Sequence, residues 1–324
     1  MKDDLFTSSL AKRMRTFIDL RRLSGTKYAS QISTLRSFDR FVARSGGRPR
    51  YVTRAVYDAY LSTIAHLHPR HRSNQCSVIR QFSSYLSRFE PHCYVPEPVP
   101  AGKSQDDWRA YIFSREQIRD VLSATSRLQP SSLRPNTFRV LFGLIYATGL
   151  RLGEARALNM VDFHRDTLRL YIHCGKFRKA RWIPLSRSVG GVLEEYVAFR
   201  QRIIAKETES SPLFLSTQRR RLHHSTIEST FYQLLKYCGI QRTGKHGPRV
   251  HDLRHTFAVH RLLEWYHDGQ DINARLPALA TYMGHVNICS TQIYIQATPE
   301  LQDCVNQRFL GYARANTILG RAHR

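Results

Sequence analysis

The sequence lacks the cysteine spacing of a disulfide framework or of a zinc site. Its six cysteines are scattered, with no C-x-x-C pair and no histidines at ligand spacing, a pattern typical of reduced thiols in a cytosol. A long apolar run is also missing: the longest, Val140 to Leu150, is well short of the ~20 residues that a membrane-spanning helix needs. The N-terminus opens acidic, without the apolar core of a secretory signal. We therefore expect a soluble, cytoplasmic protein.

Acidic residues are scarce relative to basic ones. The chain has 25 Asp+Glu against 50 Lys+Arg, which gives a net charge of +25 and a pI near 10.4. The excess runs through both halves of the chain and is dominated by arginine. Such a field favours a polyanionic partner. Because no amphipathic anchor for a membrane surface stands out, the composition favours nucleic acid.

The chain divides near a proline-rich stretch. Apolar residues at helical spacing, as in Leu35, Phe38, Phe41 and Val42, indicate several helices before residue 90. Four prolines and a polar segment then follow between Glu90 and Asp107, which is typical of an extended connector. We predict a helical N-terminal domain, a linker, a second domain and a tail, over 8–96, 97–111, 112–304 and 305–324.

Helices are also predicted in the second domain. Ser114 and Gln117 have the spacing of a capping box. The apolar segment that follows is expected to end at Gly149. Another capping box is predicted at Ser225 and Glu228. The segment 251–265 is predicted to be a helix whose buried stripe is Leu253, Phe257, Ala258, Leu262 and Trp265.

Between residues 161 and 186 the pattern changes from helical to alternating. Leu168, Leu170 and Ile172 are predicted to share one face of a strand, and ARWIPL to form its antiparallel partner across the turn GKFRK. The predicted fold class is therefore mainly α with a small antiparallel β-sheet in the second of two lobes.

Several polar residues have spacings that suit an anion site. Arg151 follows a glycine that breaks a helix, and Glu154 stands three residues later to hold its guanidinium. His251 and Arg254 lie one helical turn apart, and Lys176 lies at the predicted hairpin tip. Taken singly, each also fits an ordinary solvated surface or a surface ion pair.

Two other clusters of basic residues fit either a contact with backbone phosphates or a solvated surface. The run Arg219, Arg220 and Arg221 is expected to contact backbone phosphates or to form a solvated loop. Lys179 and Arg181, in the hairpin, are expected to contact the DNA backbone or to remain in water.

Four segments, taken in order, resemble the successive motifs of the tyrosine recombinase (phage integrase) family. They are ATGLRLGEARAL, GKFRKARWIPL, HDLRHTFAVH and GHVNICSTQIY, and the resemblance covers roughly residues 112–300. The resemblance places the catalytic set of the family on Arg151, Lys176, His251, Arg254, His285 and Tyr294, and it makes 112–304 the catalytic domain. It also implies that 8–96 is a core-binding domain, that the two lobes clamp around DNA, and that the tail packs in a neighbouring protomer or in cis.

The resemblance implies a reaction. Tyr294 attacks a DNA phosphodiester, leaving a 3′-phosphotyrosyl link and a free 5′-hydroxyl. Arg151 and Arg254 hold the phosphate oxygens, and His251 assists removal of the tyrosine proton. His285 donates a hydrogen bond to the phosphate and Lys176 protonates the leaving oxygen, while Glu154 orients Arg151.

No cofactor and no metal are expected, and the sequence has neither a Gly-x-x-x-x-Gly-Lys loop nor a carboxylate cluster. The implied partner is double-stranded DNA, bound by a homo- or hetero-tetramer of recombinases at the nucleoid.

The same breaking and rejoining of DNA strands can serve several biological tasks. Integration or transposition of a mobile element is the favoured interpretation, and resolution of chromosome or plasmid dimers is the alternative. A type IB topoisomerase shares the tyrosine chemistry but relaxes supercoils as a monomer. A DNA-binding factor without catalysis is the remaining alternative, and the full set of matched residues argues against it.

Overall fold

The computed structural model describes residues 6–25, 28–98, 110–128, 133–173, 180–204, 208–241 and 247–284. The chain forms two compact units, Met1–Asp107 and Trp108–Arg324. Each unit has a hydrophobic core of its own. Within the ranges given above, no helix is long and apolar enough to cross a membrane.

In its described residues, the N-terminal unit is built from four α-helices. They are α1 (Ala11–Leu23), α2 (Ala29–Arg44), α3 (Arg54–Thr63) and α4 (Pro69–Leu86). Helix α2 packs against the other three, and α1 also packs against α4. Of the stripe predicted on α2, Leu35, Phe38 and Val42 are fully buried, and the ring of Phe38 meets that of Tyr60 edge to face at 5.0 Å. The buried face of α2 is thus the one that helical spacing predicted, except that Phe41 is only partly buried.

The second unit contains seven α-helices and a sheet within the described residues. The helices are α5 (Arg115–Ala124), α6 (Leu133–Thr148), α7 (Leu152–Ala157), α8 (Arg187–Ile203), α9 (His224–Tyr237), α10 (Val250–His267) and α11 (Ile272–Met283). Helix α6 is central and packs against α8 and α10. Its side chains Leu141, Phe142 and Ile145 are almost completely buried, and each such burial contributes roughly 1.5–3 kcal/mol.

The sheet has three antiparallel strands in the order β1 (Phe163–His164), β2 (Arg169–Ile172) and β3 (Arg181–Pro184). The predicted pairing of β2 with β3 is confirmed, with Leu170 opposite Ile183 and both side chains buried. Leu168 was predicted to belong to β2, but it lies before the strand with φ of +49°. It therefore turns the chain from β1 into β2.

The ends of the helices follow the predicted signals in two of three cases. The capping box of Ser114 and Gln117 is confirmed, and α6 ends at Thr148 because Gly149 adopts a left-handed conformation with φ of +62°. The box at Ser225 and Glu228 is wrong. Helix α9 begins earlier, at His224, so the Ser225 hydroxyl lies inside the first turn and bonds His223 Nδ1 at 2.7 Å.

Helix α10 has the buried face that its sequence predicted, with one exception. Leu253, Phe257, Ala258 and Leu262 are buried, whereas Trp265 is only partly buried and packs beside α11. Helix α10 carries His251 and Arg254 in its first two turns. Its packing against α6 and α11 therefore sets the backbone positions of these two residues.

Candidate active site

Arg151 lies at the junction of two helices, as its sequence position predicted. The chain leaves α6 through Gly149, turns, and enters α7 with Arg151 as the N-terminal capping residue. Glu154, in the first turn of α7, accepts a hydrogen bond from the Arg151 backbone N–H at 3.1 Å and from Arg151 Nη1 at 2.9 Å. The guanidinium is therefore held by a carboxylate three residues away.

Glu154 is a buried carboxylate with two arginine partners. Its side chain is 4% exposed, and it receives a second, two-pronged contact from Arg181, at 3.1 Å to Oε1 and 2.9 Å to Oε2. Burial alone raises the pKa of Glu154, but the hydrogen bonds and charge of Arg181, together with those of Arg151, outweigh it and lower that pKa. Glu154 is consequently ionised at neutral pH.

Arg181 is the residue that sequence reasoning placed wrongly. The expectation was a hairpin side chain on the DNA backbone or in water, but Arg181 is on β3 with its side chain 14% exposed and turned to Glu154. The inward direction of the Arg181 side chain could have been predicted from the alternation of side chains along a strand, because Arg181 and the buried Ile183 share one face of β3.

The C-terminal end of α11 is the point where three arginines meet. Arg151 Nη2 donates to Gly284 O at 2.8 Å, Arg181 Nε to Tyr282 O at 3.1 Å, and Arg254 Nη2 to Met283 O at 2.9 Å. The last carbonyls of a helix have no partner within it and carry partial negative charge. Guanidinium groups from three distant parts of the chain satisfy these carbonyls.

Arg254 is almost completely buried, with 1% of its surface exposed. Its Nη1 donates to Gly149 O, so its guanidinium links the carbonyl that ends α6 to the carbonyl that ends α11. A solvated polar face, the alternative reading of the His-x-x-Arg spacing, is therefore wrong for Arg254. The side chain is part of the packed centre of the site.

His251 lies one turn before Arg254, in the first turn of α10. Its ring meets that of His255 edge to face at 4.7 Å. Although His251 as a residue is exposed, desolvation by the surrounding protein, and then the charges of Arg254, Arg249 and Arg151, lower the pKa of its imidazole to about 4. The imidazole is therefore neutral at physiological pH and is able to accept a proton.

Three predicted residues lie outside the described part of the chain. They are Lys176, His285 and Tyr294. Of the six predicted residues, the structure thus brings together Arg151, His251 and Arg254. The described residue that precedes Lys176 most closely in the sequence is His173, just after β2, and the one that precedes His285 and Tyr294 is Gly284, just after α11.

The basic run before α9 separates into two kinds of residue. Arg219 and Arg220 are exposed. Arg221 instead donates to the carbonyl oxygens of Arg156 and Leu158, at 2.6 and 3.1 Å. Arg221 therefore stabilises the end of α7, whereas the side chains of Arg219 and Arg220 are exposed to solvent.

No group of three His, Cys, Asp or Glu side chains in the described residues is arranged to hold a metal ion. The charged groups that converge are instead guanidinium groups and one carboxylate, which is a donor set suited to an oxyanion such as a phosphate diester.

Comparison with known proteins shows a family match and two similar recombinases. Residues 112–300 match the phage integrase family. The chain is 34% identical over 299 residues to y4rB of Sinorhizobium fredii, named an integrase/recombinase, covering 91% of this chain and 95% of that one. It is 28% identical over 286 residues to the tyrosine recombinase XerC of Lacticaseibacillus casei, covering 86% and 90%.

A solved structure shares the fold of the chain. It is the integrase of the transposon Tn1549 in complex with transposon right end DNA, with a TM-score of 0.63 at 15% identity, over 94% of this chain and all of that one. The fold of the chain is therefore similar to that of a protein whose structure has been solved.

Proposed function

This chain belongs to the phage integrase family, and from that premise we propose which of its residues break and rejoin DNA and what task the reaction serves. The chain is a tyrosine recombinase: it cuts and rejoins DNA strands, and DNA is its partner. The family match does not assign roles to individual residues.

The observation that carries the assignment is the convergence of Arg151 and Arg254 on the end of α11, one turn from a neutral histidine. We assign both arginines to the phosphate, because phosphoryl transfer needs charge stabilisation at the oxygens more than covalent help. A guanidinium has five N–H donors, so contacts to carbonyls and to a phosphate are compatible on one side chain.

We assign Tyr294 as the nucleophile. Its phenol oxygen forms a bond to phosphorus as the bond to the 5′-oxygen breaks, which leaves a 3′-phosphotyrosyl link and a 5′-hydroxyl. Neutral His251 accepts the phenol proton, and Lys176 supplies a proton to the departing oxygen. His285 donates to a phosphate oxygen. Attack by the 5′-hydroxyl of a partner strand reverses every step and releases the tyrosine.

The nucleophile is tested by replacing Tyr294 with phenylalanine. We expect Tyr294→Phe to abolish the covalent protein–DNA adduct while leaving DNA affinity nearly unchanged, because only one oxygen atom is removed. Adducts are trapped on genomic DNA by rapid denaturation, and the attached DNA is sequenced. Tyr312→Phe, in the same C-terminal segment, is the matched control and keeps wild-type adduct yield. Adducts from the Tyr294 variant contradict the assignment.

We propose integration or transposition of a mobile element as the task, with resolution of replicon dimers as the alternative. The similarity to y4rB, named an integrase/recombinase, supports the first, and the similarity to XerC supports the second. The sites recovered from the adducts separate them. Sites at the ends of an element support integration or transposition, whereas a single chromosomal site supports dimer resolution.

We further propose that four copies act on two duplexes at the nucleoid, with the two lobes of each copy around the DNA. Exchange of two duplexes needs four strand cuts, and each chain supplies a single Tyr294. A plasmid with two copies of the recovered site distinguishes recombination from relaxation by a type IB topoisomerase. Recombined circles are expected, and relaxation without exchange would overturn the proposal.

A further inference from the structure

Arg181 contacts more of the site than its position in the sequence suggests. Its guanidinium makes the two-pronged contact to Glu154 described above, while its Nε donates to Tyr282 O at 3.1 Å and its Nη2 to Met283 O at 3.4 Å. One side chain on β3 thereby joins the carboxylate that holds Arg151 to the last turn of α11.

Gly284 is adapted to this arginine. It ends α11 in the left-handed conformation, with φ of +69°. A Cβ atom at this position would lie 2.9 Å from Cζ and 2.9 Å from Nη1 of Arg181, closer than side chains tolerate. The backbone just before His285 therefore approaches Arg181 as closely as only glycine allows.

The charges explain what Arg181 does for Arg151. Glu154 carries one negative charge and contacts two guanidinium groups. With both arginines present, the trio has a net charge of +1. Without Arg181, Glu154 and Arg151 form a neutral pair, and the attraction of Arg151 for a phosphate is weakened at close range. Arg181 therefore keeps Arg151 electropositive as well as in place.

We propose that Arg181 is a positioning residue for phosphoryl transfer: through Glu154 it keeps Arg151 directed and positively charged toward the scissile phosphate, and through the carbonyls of α11 it fixes the backbone from which His285 follows. This inference rests on the function proposed above. It concerns a side chain that acts on DNA through others, so its removal affects the chemical step and leaves binding intact.

The test is single-turnover cleavage by Arg181→Gln on a nicked duplex that carries the site recovered from the trapped adducts. At saturating DNA we expect the cleavage rate constant to fall on the order of 10²-fold, as for the loss of one preorganised donor, with the dissociation constant for the uncut duplex within about 2-fold of wild type. Arg187→Gln, which removes an exposed arginine from the start of α8, is the matched control and keeps the wild-type rate.

A second variant separates positioning from a merely structural role. Arg181→Lys keeps the charge but cannot reproduce the fork on Glu154, so we expect a folded protein whose cleavage stays at least ~10-fold slow. If Arg181→Gln does not fold, the Arg181→Lys variant alone tests the proposal. In addition, Glu154→Gln is expected to slow cleavage far less in the Arg181→Lys background than in wild type, because the two side chains act as a unit.

Two results would overturn the inference. One is a wild-type cleavage rate in folded Arg181→Lys, and the other is a loss of DNA affinity that accounts for the whole loss of cleavage, which would make Arg181 a direct DNA contact. Both differ from failure of the proposed function itself, which appears as wild-type protein that forms no adduct.

Discussion

Glu154, Arg151, Arg181 and Arg254 place three positive charges against one negative charge in one small region of the second unit. Unit charges ~4 Å apart interact by about 4 kcal/mol at the effective dielectric of a protein surface. The same excess has two consequences. It attracts a phosphate, and the charges of Arg254 and Arg151 add to desolvation, which is the larger cause, in disfavouring the protonated form of His251.

The pKa of His251 is a measurable consequence. We expect its Cε1–H resonance to stay constant from pH 8 to pH 5 and to titrate with a midpoint of about 4, because desolvation and the charges of Arg254, Arg249 and Arg151 disfavour the imidazolium ion. Removal of one of these charges by Arg249→Gln should move the midpoint upward. The resonance is assigned by its loss in His251→Gln.

The sign of the stability effect follows from the same shift. In the unfolded chain a histidine titrates near pH ~6.5, so the unfolded state binds this proton first as the pH falls. His251 therefore favours the folded state above pH ~6.5, and this contribution is lost progressively as the pH falls toward about 4. A midpoint near 6.5 in the native protein would contradict the assigned surroundings.

Which residues could be predicted depended on how local their partners are. Arg151 and Glu154 are three residues apart, so their contact could be predicted from sequence. Arg181 meets Glu154 across 27 positions of the chain, and Arg254 meets Gly149 across 105. No periodicity encodes those contacts, because they depend on how β3 and α10 pack beside α7 and α11.

At the scale of elements, the junction between α6 and α7 connects the core to the site. Helix α6 ends just before Gly149, whose carbonyl accepts a hydrogen bond from Arg254, and a Cβ at Gly149 would lie 2.5 Å from Cδ1 of Phe257 on α10. Residue 149 must therefore be glycine, because its backbone is left-handed and because the buried ring of Phe257 leaves no room for a Cβ atom.

Two glycines of this region form a matched pair for a stability experiment. Gly149→Ala is expected to lower the free energy of unfolding by about 1–3 kcal/mol, from left-handed strain and the clash with Phe257. Gly143→Ala, inside α6, places its Cβ 3.9 Å from Leu122 and should raise it by roughly 0.5–1 kcal/mol. Urea unfolding measures both, and equal effects would contradict the role of the turn.

The elements themselves were largely predictable because their signals are periodic and local. The stripes of α2 and α10, the stop at Gly149 and the pairing of β2 with β3 all follow from apolar spacing and turn residues. The error at Ser225 has the same origin: a capping sequence is short, and packing of the preceding residues, including the buried Leu222, started α9 earlier.

At the scale of the whole molecule, the net charge of +25 acts on DNA differently from the arginines of the site. Arg219 and Arg220 are exposed, and exposed charges are screened by salt. Arg254, with 1% of its surface exposed, is screened much less. Binding and chemistry should therefore respond differently to ionic strength.

We expect DNA affinity to fall by roughly 10³-fold or more between ~50 and ~200 mM salt, as several phosphate contacts release their counterions. The cleavage rate constant at saturating DNA should change by less than ~3-fold over that range. Fluorescence anisotropy with a labelled duplex measures the first and single-turnover adduct formation the second. A cleavage constant that falls in parallel with affinity would contradict the separation.

The triple anchoring of the α11 terminus also sets a mechanical limit. Gly284 is held by its contact with Arg151 and is closely approached by Arg181, and Tyr294 follows it by ten residues in the sequence. A fully extended chain spans at most ~3.6 Å per residue. Ten residues therefore span at most about 36 Å from Gly284 to the Cα of Tyr294. With Tyr294 as the proposed nucleophile, a phosphate beyond that reach plus one side-chain length would be attacked by the tyrosine of another copy.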